Sequence, residues 1–123
     1  MGGGDPTPEF LLEPALLWYR GGVTVWHEGL VRHDLGLHLT VMVVSRDKGD
    51  AAATMAAPWR TRIPIEVELR APDRPDPLLL GGALGGGAEQ LCCEFQFEGE
   101  APPGTTVRIR VLPLDLETSR VLR

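Results

Sequence analysis

Several short segments of the sequence show a strict alternation of apolar and polar residues. Residues 63–70, 93–98 and 107–111 each carry an apolar side chain at every second position, mostly with charged or amide side chains between them. Neighbouring side chains of a β-strand point to opposite faces of its sheet. This period of two therefore predicts strands with one buried and one solvated face.

The first half of the chain adds segments of the same kind, separated by turn residues. Residues 16–20 and 23–27 are rich in aromatic and β-branched side chains, and the Gly21-Gly22 pair lies between them. This pattern predicts a β-hairpin. Gly29 interrupts the second strand, where we expect a bulge that redirects the residues following it.

The count of these segments leads to a fold class. About seven short strands, each with one apolar face, must bury those faces against one another, and two packed sheets do so. We predict an all-β fold, an antiparallel two-sheet immunoglobulin-like β-sandwich. A small β-barrel is the alternative, because it presents the same alternation.

Composition sets the domain boundaries. The 123 residues suit one domain. We expect a flexible N-terminal tail over residues 1–12 and a single β-sandwich domain over residues 13–123. Two long loops are predicted, residues 46–61 and residues 71–90, and the second is glycine-rich, which favours mobility.

Charge and hydropathy exclude two classes of partner. The formal net charge is −5, whereas nucleic-acid binding depends on clustered basic residues, so we expect no nucleic-acid partner. The longest charge-free apolar run, residues 77–88, is shorter than the roughly 20 residues of a membrane-spanning helix. No membrane span and no secretory leader are predicted.

The only two cysteines are adjacent in the sequence. Side chains of neighbouring strand residues point apart, so a disulfide between Cys92 and Cys93 is disfavoured. We predict reduced thiols, with Cys93 in the core and Cys92 outside it. Reduced thiols without a leader favour a cytoplasmic protein.

The three histidines, His27, His33 and His38, raise a metal hypothesis. His33 lies opposite His38 in one register of the second hairpin. With a three-residue turn ending at Gly36, Arg32 lies opposite His38 instead, and this register keeps the aliphatic residues paired. We prefer that register and interpret the histidines as solvent-edge residues, without a metal site.

Tryptophans offer a possible ligand-binding surface. Trp18, Trp26 and Trp59, with Tyr19, have amphipathic rings of the kind that stack on sugars or other flat ligands. Tryptophans on the strands of a small sandwich more often pack in its core and rim. A small-molecule or carbohydrate-binding module using these tryptophans is therefore our alternative function.

Catalytic and cofactor motifs are not recognised. Neither Ser45 nor Ser119 lies in a glycine-flanked elbow. Glu66 and Glu68 share one strand face, but their alternation with apolar residues indicates a solvated face. The glycine run at residues 85–87 lacks the lysine of a phosphate-binding loop. We predict no enzyme and no cofactor.

The remaining candidate is an interaction surface. Leu78, Leu79 and Leu80 follow one another in the predicted loop and become a docking point if they are exposed. We therefore predict a non-catalytic cytoplasmic protein that contacts another protein or itself, through these leucines or through an exposed edge strand.

Several stretches together resemble one protein group. They are residues 18–26, 36–41, the glycine-rich loop, 102–105, 107–111 and 117–121. In these stretches the chain resembles a family of uncharacterised actinobacterial β-sandwich proteins, a source with which its arginine-rich composition agrees. A tryptophan-rich strand of such proteins is replaced here by residues 93–97. The resemblance implies the sandwich fold and no known activity.

Overall fold

The computed structural model describes residues 9–20, 22–34, 36–45, 65–86 and 90–123. Within them, nine strands form two antiparallel sheets. The larger sheet contains β1 (Glu9–Leu12), β2 (Ala15–Arg20), β3 (Val23–His33), β4 (Gly36–Ser45), β6 (Leu78–Gly86) and β7 (Gln90–Glu98). The smaller sheet contains β5 (Ile65–Arg70), β8 (Thr106–Val111) and β9 (Leu116–Val121), with a short 3-10 helix at Leu112–Leu114 between the last two.

The order of strands within each sheet determines which strands are edges. In the larger sheet the order is β1-β3-β4-β7-β6, and β2 pairs with β3 beside β1. In the smaller sheet the order is β5-β8-β9. Among the strands that the structure describes, β6 therefore forms one edge of the larger sheet, and β1 and β2 together form the opposite edge.

The two sheets pack face to face as a β-sandwich around one hydrophobic core. The apolar positions of the alternating segments line it from both sheets, among them Leu39, Phe95, Val67 and Ile109. The predicted all-β class and two-sheet arrangement are confirmed. In the described ranges no strand of one sheet pairs with the other sheet, so the barrel alternative is not the arrangement adopted.

The predicted N-terminal tail is too long, because Glu9–Leu12 forms β1 and pairs with β3. Two leucines of this strand, Leu11 and Leu12, pack against the buried core. Glu9 also forms an ion pair with Arg32 on β3. These apolar contacts favour pairing of the segment over disorder, whereas residues 1–8 lie outside the described part.

The predicted loop over residues 71–90 is wrong over Leu78–Gly86, which forms strand β6, whereas residues 71–77 belong to no strand, as predicted. The glycine-rich composition suggested mobility, but β7 pairs with the backbone of β6 along one side, and this pairing does not depend on the side chains of β6. Gly82 lies so close to β7 that an added Cβ would approach the carbonyl oxygen of Glu94 to 2.9 Å. Strands β1 and β6 were not predicted, and they account for the nine described strands in place of the predicted seven. The other predicted loop, residues 46–61, lies outside the described residues.

The bulge expected at Gly29 is confirmed. The pairing of β3 with β4 shifts between His27 and Leu30, and Gly29 has φ +94°. A side chain there would meet the carbonyl oxygen of Leu12 at 2.7 Å. Glycine is therefore required both by its backbone conformation and by the close approach of the neighbouring chain.

The predicted register of the second hairpin is wrong. His33 pairs with Gly36 and Val31 pairs with His38, so neither of the two registers considered is formed. The Gly29 bulge explains the difference, since the extra residue lets Leu30 pair with Leu39 without the longer turn. Aliphatic residues still pair with one another, as expected, but Leu39 pairs with Leu30 instead of Val31.

Candidate protein-interaction edge

Strand β6 places the three predicted leucines at a sheet edge. Among the described strands it has one neighbour, β7, so its other side carries backbone groups without a strand partner. Leu78, Leu79 and Leu80 are 63%, 49% and 53% exposed. The three leucines and an exposed edge strand were predicted as alternative docking sites. In the structure they are parts of the same strand.

The composition of β6 is unusual for an edge strand. Natural edges are commonly protected by charged residues, by proline or by short length. All nine residues of β6, Leu78–Gly86, are leucine, glycine or alanine. The strand therefore carries neither charge nor proline to oppose pairing with another strand.

A bulge divides β6 into two parts. The pairing with β7 shifts between Leu79 and Gly81, so that Leu80 is the extra residue. After it, Gly81–Gly86 pairs residue by residue with β7 from Gln96 to Leu91. The strand thus offers six regularly paired residues for backbone contacts, preceded by three exposed leucines.

A shallow groove lies beside this edge on the outer face of the larger sheet. Its volume is about 340 Å3 and its lining includes His38, Gln96, Glu94, Leu80 and Gly81. The small residues of β6 make the groove, since a Cβ at Gly81 would meet no atom within 4 Å. An imidazole, an amide and a carboxylate therefore border a space that a small polar molecule can enter.

The histidines do not share one environment. The rings of His33 and His38 lie near each other, with centroids 6.3 Å apart and planes tilted by 57°. His27 is 1% exposed, so its interpretation as a solvent-edge residue is wrong. It continues the buried positions Val23 and Val25 along β3, and this alternation was the signal that would have identified it.

Burial sets the protonation of His27. Its Nδ1 accepts a hydrogen bond from the backbone N–H of Gly29 at 3.0 Å. Desolvation lowers the pKa of His27, and the positive charge of Arg120 lowers it further. The ring is therefore held neutral inside the sandwich, with its acceptor nitrogen supporting the bulge. In the described ranges, His, Cys, Asp and Glu do not form a group of three or more suited to a metal ion.

The two tryptophans in the described part of the chain do not form one stacking platform. Trp18 pairs with Val25 and packs against the core, whereas Trp26, adjacent to Val25, faces the opposite side of the sheet. Tyr19 is exposed and pairs with Thr24. Trp59 lies outside the described residues. Any ligand stacked on Trp26 is therefore separated from Trp18 by the sheet itself.

The two cysteines behave as predicted. Both are free thiols, Cys93 buried in the core and Cys92 half-buried on the outer face. Desolvation and the neighbouring Cys92 raise the pKa of Cys93 to about 12. Desolvation and the charges of Glu94 and Glu28 raise the pKa of Cys92. Neither thiol is activated as a nucleophile, because the thiolate is the reactive form.

The outer face of the smaller sheet is a ladder of charge pairs. The Oε2 atom of Glu66 lies 3.9 Å from Nη1 of Arg110. Arg108 forms an ion pair with Glu117. Glu68 lies opposite Arg108 in the register of β5 with β8. The two glutamates are therefore flanked by arginines on a solvated face, as their alternation indicated.

The signal for the full extent of the interaction edge was present in the sequence. The charge-free run at residues 77–88 is too short for a membrane span, and its lack of charge also indicates an unprotected strand, which the structure shows over Leu78–Gly86. Glycine at 81 and 82 concealed this, because glycine is depleted in strands. The edge position of β6 depends on its pairing with β7.

Comparison of the chain with protein-family models, curated proteins and solved structures found no significant match. The resemblance to actinobacterial sandwich proteins therefore stays a prediction. In the described residues, no helix has the length and apolar character needed to cross a membrane.

Proposed function

We propose that this chain is a non-catalytic protein-interaction or assembly domain whose binding element is the edge of β6. The observation that carries the proposal is the run of exposed leucines on an edge strand without charge or proline. An extended polypeptide segment adds to such an edge as a further strand. Main-chain hydrogen bonds then supply affinity, and contacts with the leucines supply specificity.

The arrangement of the leucines supports strand addition. Leu79 pairs with the inward-facing Phe97, so it lies on the inner side of the sheet near its uncovered margin. Leu78 is on the opposite side. A strand added beside β6 therefore covers apolar surface on both faces of the larger sheet, that of Leu79 on the inner face and that of Leu78 on the outer face.

Strand order favours the immunoglobulin-like form of the sandwich. The orders β3-β4-β7-β6 and β5-β8-β9 match the four-stranded and three-stranded sheets of constant-type domains, with strands lettered A to G from β3. Strands β1 and β2 are additions beside the first of these. The free, unactivated thiols Cys92 and Cys93 agree with a reducing, cytoplasmic location.

Photo-crosslinking from the edge tests this function. A photo-crosslinking amino acid placed at Gly81, where a side chain meets open space, is compared with the same amino acid at the exposed Ser119 on β9. We expect irradiation of source cells to join a polypeptide to the chain from position 81 and not from position 119. Adding Leu80→Lys to the position-81 variant should abolish the product.

Equal products from the two positions, or a product that survives Leu80→Lys, would contradict a binding role for β6. Either a different protein or a second copy of the chain is an acceptable product at this stage. Thermal unfolding of each variant provides the control that the domain remains folded.

The groove beside β6 supports a second candidate, a small-molecule or carbohydrate-binding module. Glu94, Gln96 and His38 provide the hydrogen-bonding groups that such a ligand requires. Gly81→Trp should fill the groove and abolish binding of any sugar detected by calorimetry. Binding that persists in this variant, or is lost on changing Trp26 alone, would exclude the groove.

A further inference from the structure

We propose that β6 binds β6 of a second copy of this chain, which gives a two-fold symmetric dimer with one sheet continuous across both subunits. This inference rests on the proposed function, because it names the partner of the same edge. A two-fold axis perpendicular to the sheet places the two edge strands antiparallel. Each copy then satisfies the unpaired backbone groups of the other.

The uncharged composition of β6 suits pairing with itself, because a two-fold contact places like residues near one another. Pairing of two β6 strands brings no charged side chain opposite another, because Leu78–Gly86 is uncharged in both copies. The nearest acidic residues on the adjoining strand are Glu94 and Glu98 on β7. Across the dimer the two β7 strands are separated by three strand spacings, about 14 Å. This exceeds the Debye length of about 8 Å at physiological ionic strength, so repulsion between subunits is screened.

The symmetry keeps like surfaces together. Rotation about an axis perpendicular to the sheet leaves the inner faces of both copies on the same side. Leu79 of each subunit therefore lies on the side that holds the partner's inner face, and Leu78 lies on the side of its outer face. Both apolar margins of β6 lose exposure in one contact.

The other described edges explain why assembly stops at two copies. Strand β5 contains Glu66, Glu68 and Arg70, and strand β9 contains Glu117 and Arg120. Strands β1 and β2 are only four and six residues long, and each has a register shift in its pairing with β3. Charge, short length and bulges protect edges from pairing. The contact through β6 is isologous, so it uses one edge on each copy and closes.

Sedimentation velocity across a range of protein concentrations tests the dimer. We expect a monomer–dimer equilibrium in the unmodified chain. Leu80→Lys should raise the dimer dissociation constant by about 100-fold, since burial of a half-exposed leucine contributes about tenfold and the change occurs in both subunits. The matched control is Leu16→Lys on β2, whose side chain is 63% exposed and which should leave the constant unchanged.

A second variant protects the test against misfolding. Gly81→Lys adds a charged side chain where a Cβ meets nothing within 4 Å, so the fold should persist while dimerisation weakens. Amide hydrogen exchange should show protection of residues 78–86 that increases with protein concentration in the unmodified chain.

The outcomes separate the dimer from the broader function. A purified chain that stays monomeric, or a dimer unaffected by Leu80→Lys and Gly81→Lys, would overturn the dimer. If photo-crosslinking from position 81 then captures a different protein and Leu80→Lys abolishes that product, the interaction function stands without the dimer. If crosslinking also fails, both proposals are wrong.

Discussion

The two edges of the larger sheet expose similar side chains but differ in their backbones. Phe10, Leu16 and Tyr19 are exposed at the β1/β2 edge, as Leu78 and Leu80 are at the β6 edge. Apolar exposure alone therefore does not distinguish a docking edge. The difference lies in the continuity of the strand and in what interrupts it.

The β1/β2 edge is broken repeatedly. Glu13 and Pro14 separate its two short strands, and both residues are exposed. Its pairing with β3 shifts between Phe10 and Leu12 beside the close approach of Gly29, and an ion pair joins Glu9 to Arg32. Strand β6, by contrast, has six consecutive residues in regular register with β7 after its single bulge. An edge accepts another strand through uninterrupted backbone more than through apolar side chains.

Breaking the protected edge should have the largest effect on folding. Gly29→Ala should destabilise the domain by about 2–4 kcal/mol, because alanine is strained at positive φ and its Cβ clashes with Leu12 and Phe10. Urea unfolding measures the change, and hydrogen exchange should show loss of protection in residues 9–12. The matched control at the other edge, Gly81→Ala, should change stability by less than about 0.5 kcal/mol. Similar losses for both variants would remove the contrast between the edges.

Acid should lower the free energy of unfolding through His27, whose ring supports the Gly29 bulge beside the β1/β2 edge. The pKa of His27 is lowered in the folded state, so the unfolded chain binds the proton more readily. Stability from this group is therefore complete above the unfolded pKa of about 6.5 and falls as the pH drops below it. The slope contributed by this one proton is at most about 1.4 kcal/mol per pH unit.

Urea unfolding at several pH values measures this dependence. His27→Gln retains an acceptor for the Gly29 N–H but does not titrate, so its stability should fall less steeply between pH 6.5 and 5, a window set by the unfolded pKa of about 6.5. All other titratable groups are common to both proteins, so the difference between the two slopes isolates His27. Identical slopes would show that the buried ring does not link acid to unfolding.

The smallest effect should come from charging exposed leucines. Leu16→Lys and Leu80→Lys should each change the monomer's free energy of unfolding by less than about 0.5 kcal/mol, because a lysine stem covers similar apolar surface while its charge stays in water. Urea unfolding at low protein concentration measures both. A large loss for Leu80→Lys alone would indicate a role in folding and would weaken its use as a probe of pairing.

Local pattern predicted more of the fold than of the candidate edge. The alternation at residues 93–98 and 107–111 identified β7 and β8 because it records which side chains face the core. Leu78, Leu79 and Leu80 were recognised as a possible docking point from their apolar character. Their position on a strand was not predicted, because glycine after them carries no pattern and the pairing partner lies in β7.

Register was the other property that local pattern did not provide. The predicted register has His38 opposite Arg32, whereas His38 pairs with Val31, because the Gly29 bulge changes the count of paired residues. The prediction of a solvent-edge His27 is wrong, since His27 continues the buried alternation of β3. A titratable side chain suggested that His27 is exposed to solvent, but its ring is buried on the face of β3 that packs against the second sheet.

Local sequence pattern is enough to predict an all-β chain whose strands have one apolar and one polar face, with a reduced cysteine in its core. These properties follow from the alternation of apolar and polar side chains within each segment. The alternation can be recognised without knowing which strands are neighbours in the sheet. The edge position of β6 among the described strands, the opposite orientations of Trp18 and Trp26 and the burial of a neutral His27 follow from the packed fold instead. Each of these depends on which distant strands share hydrogen bonds and on which surfaces the second sheet covers.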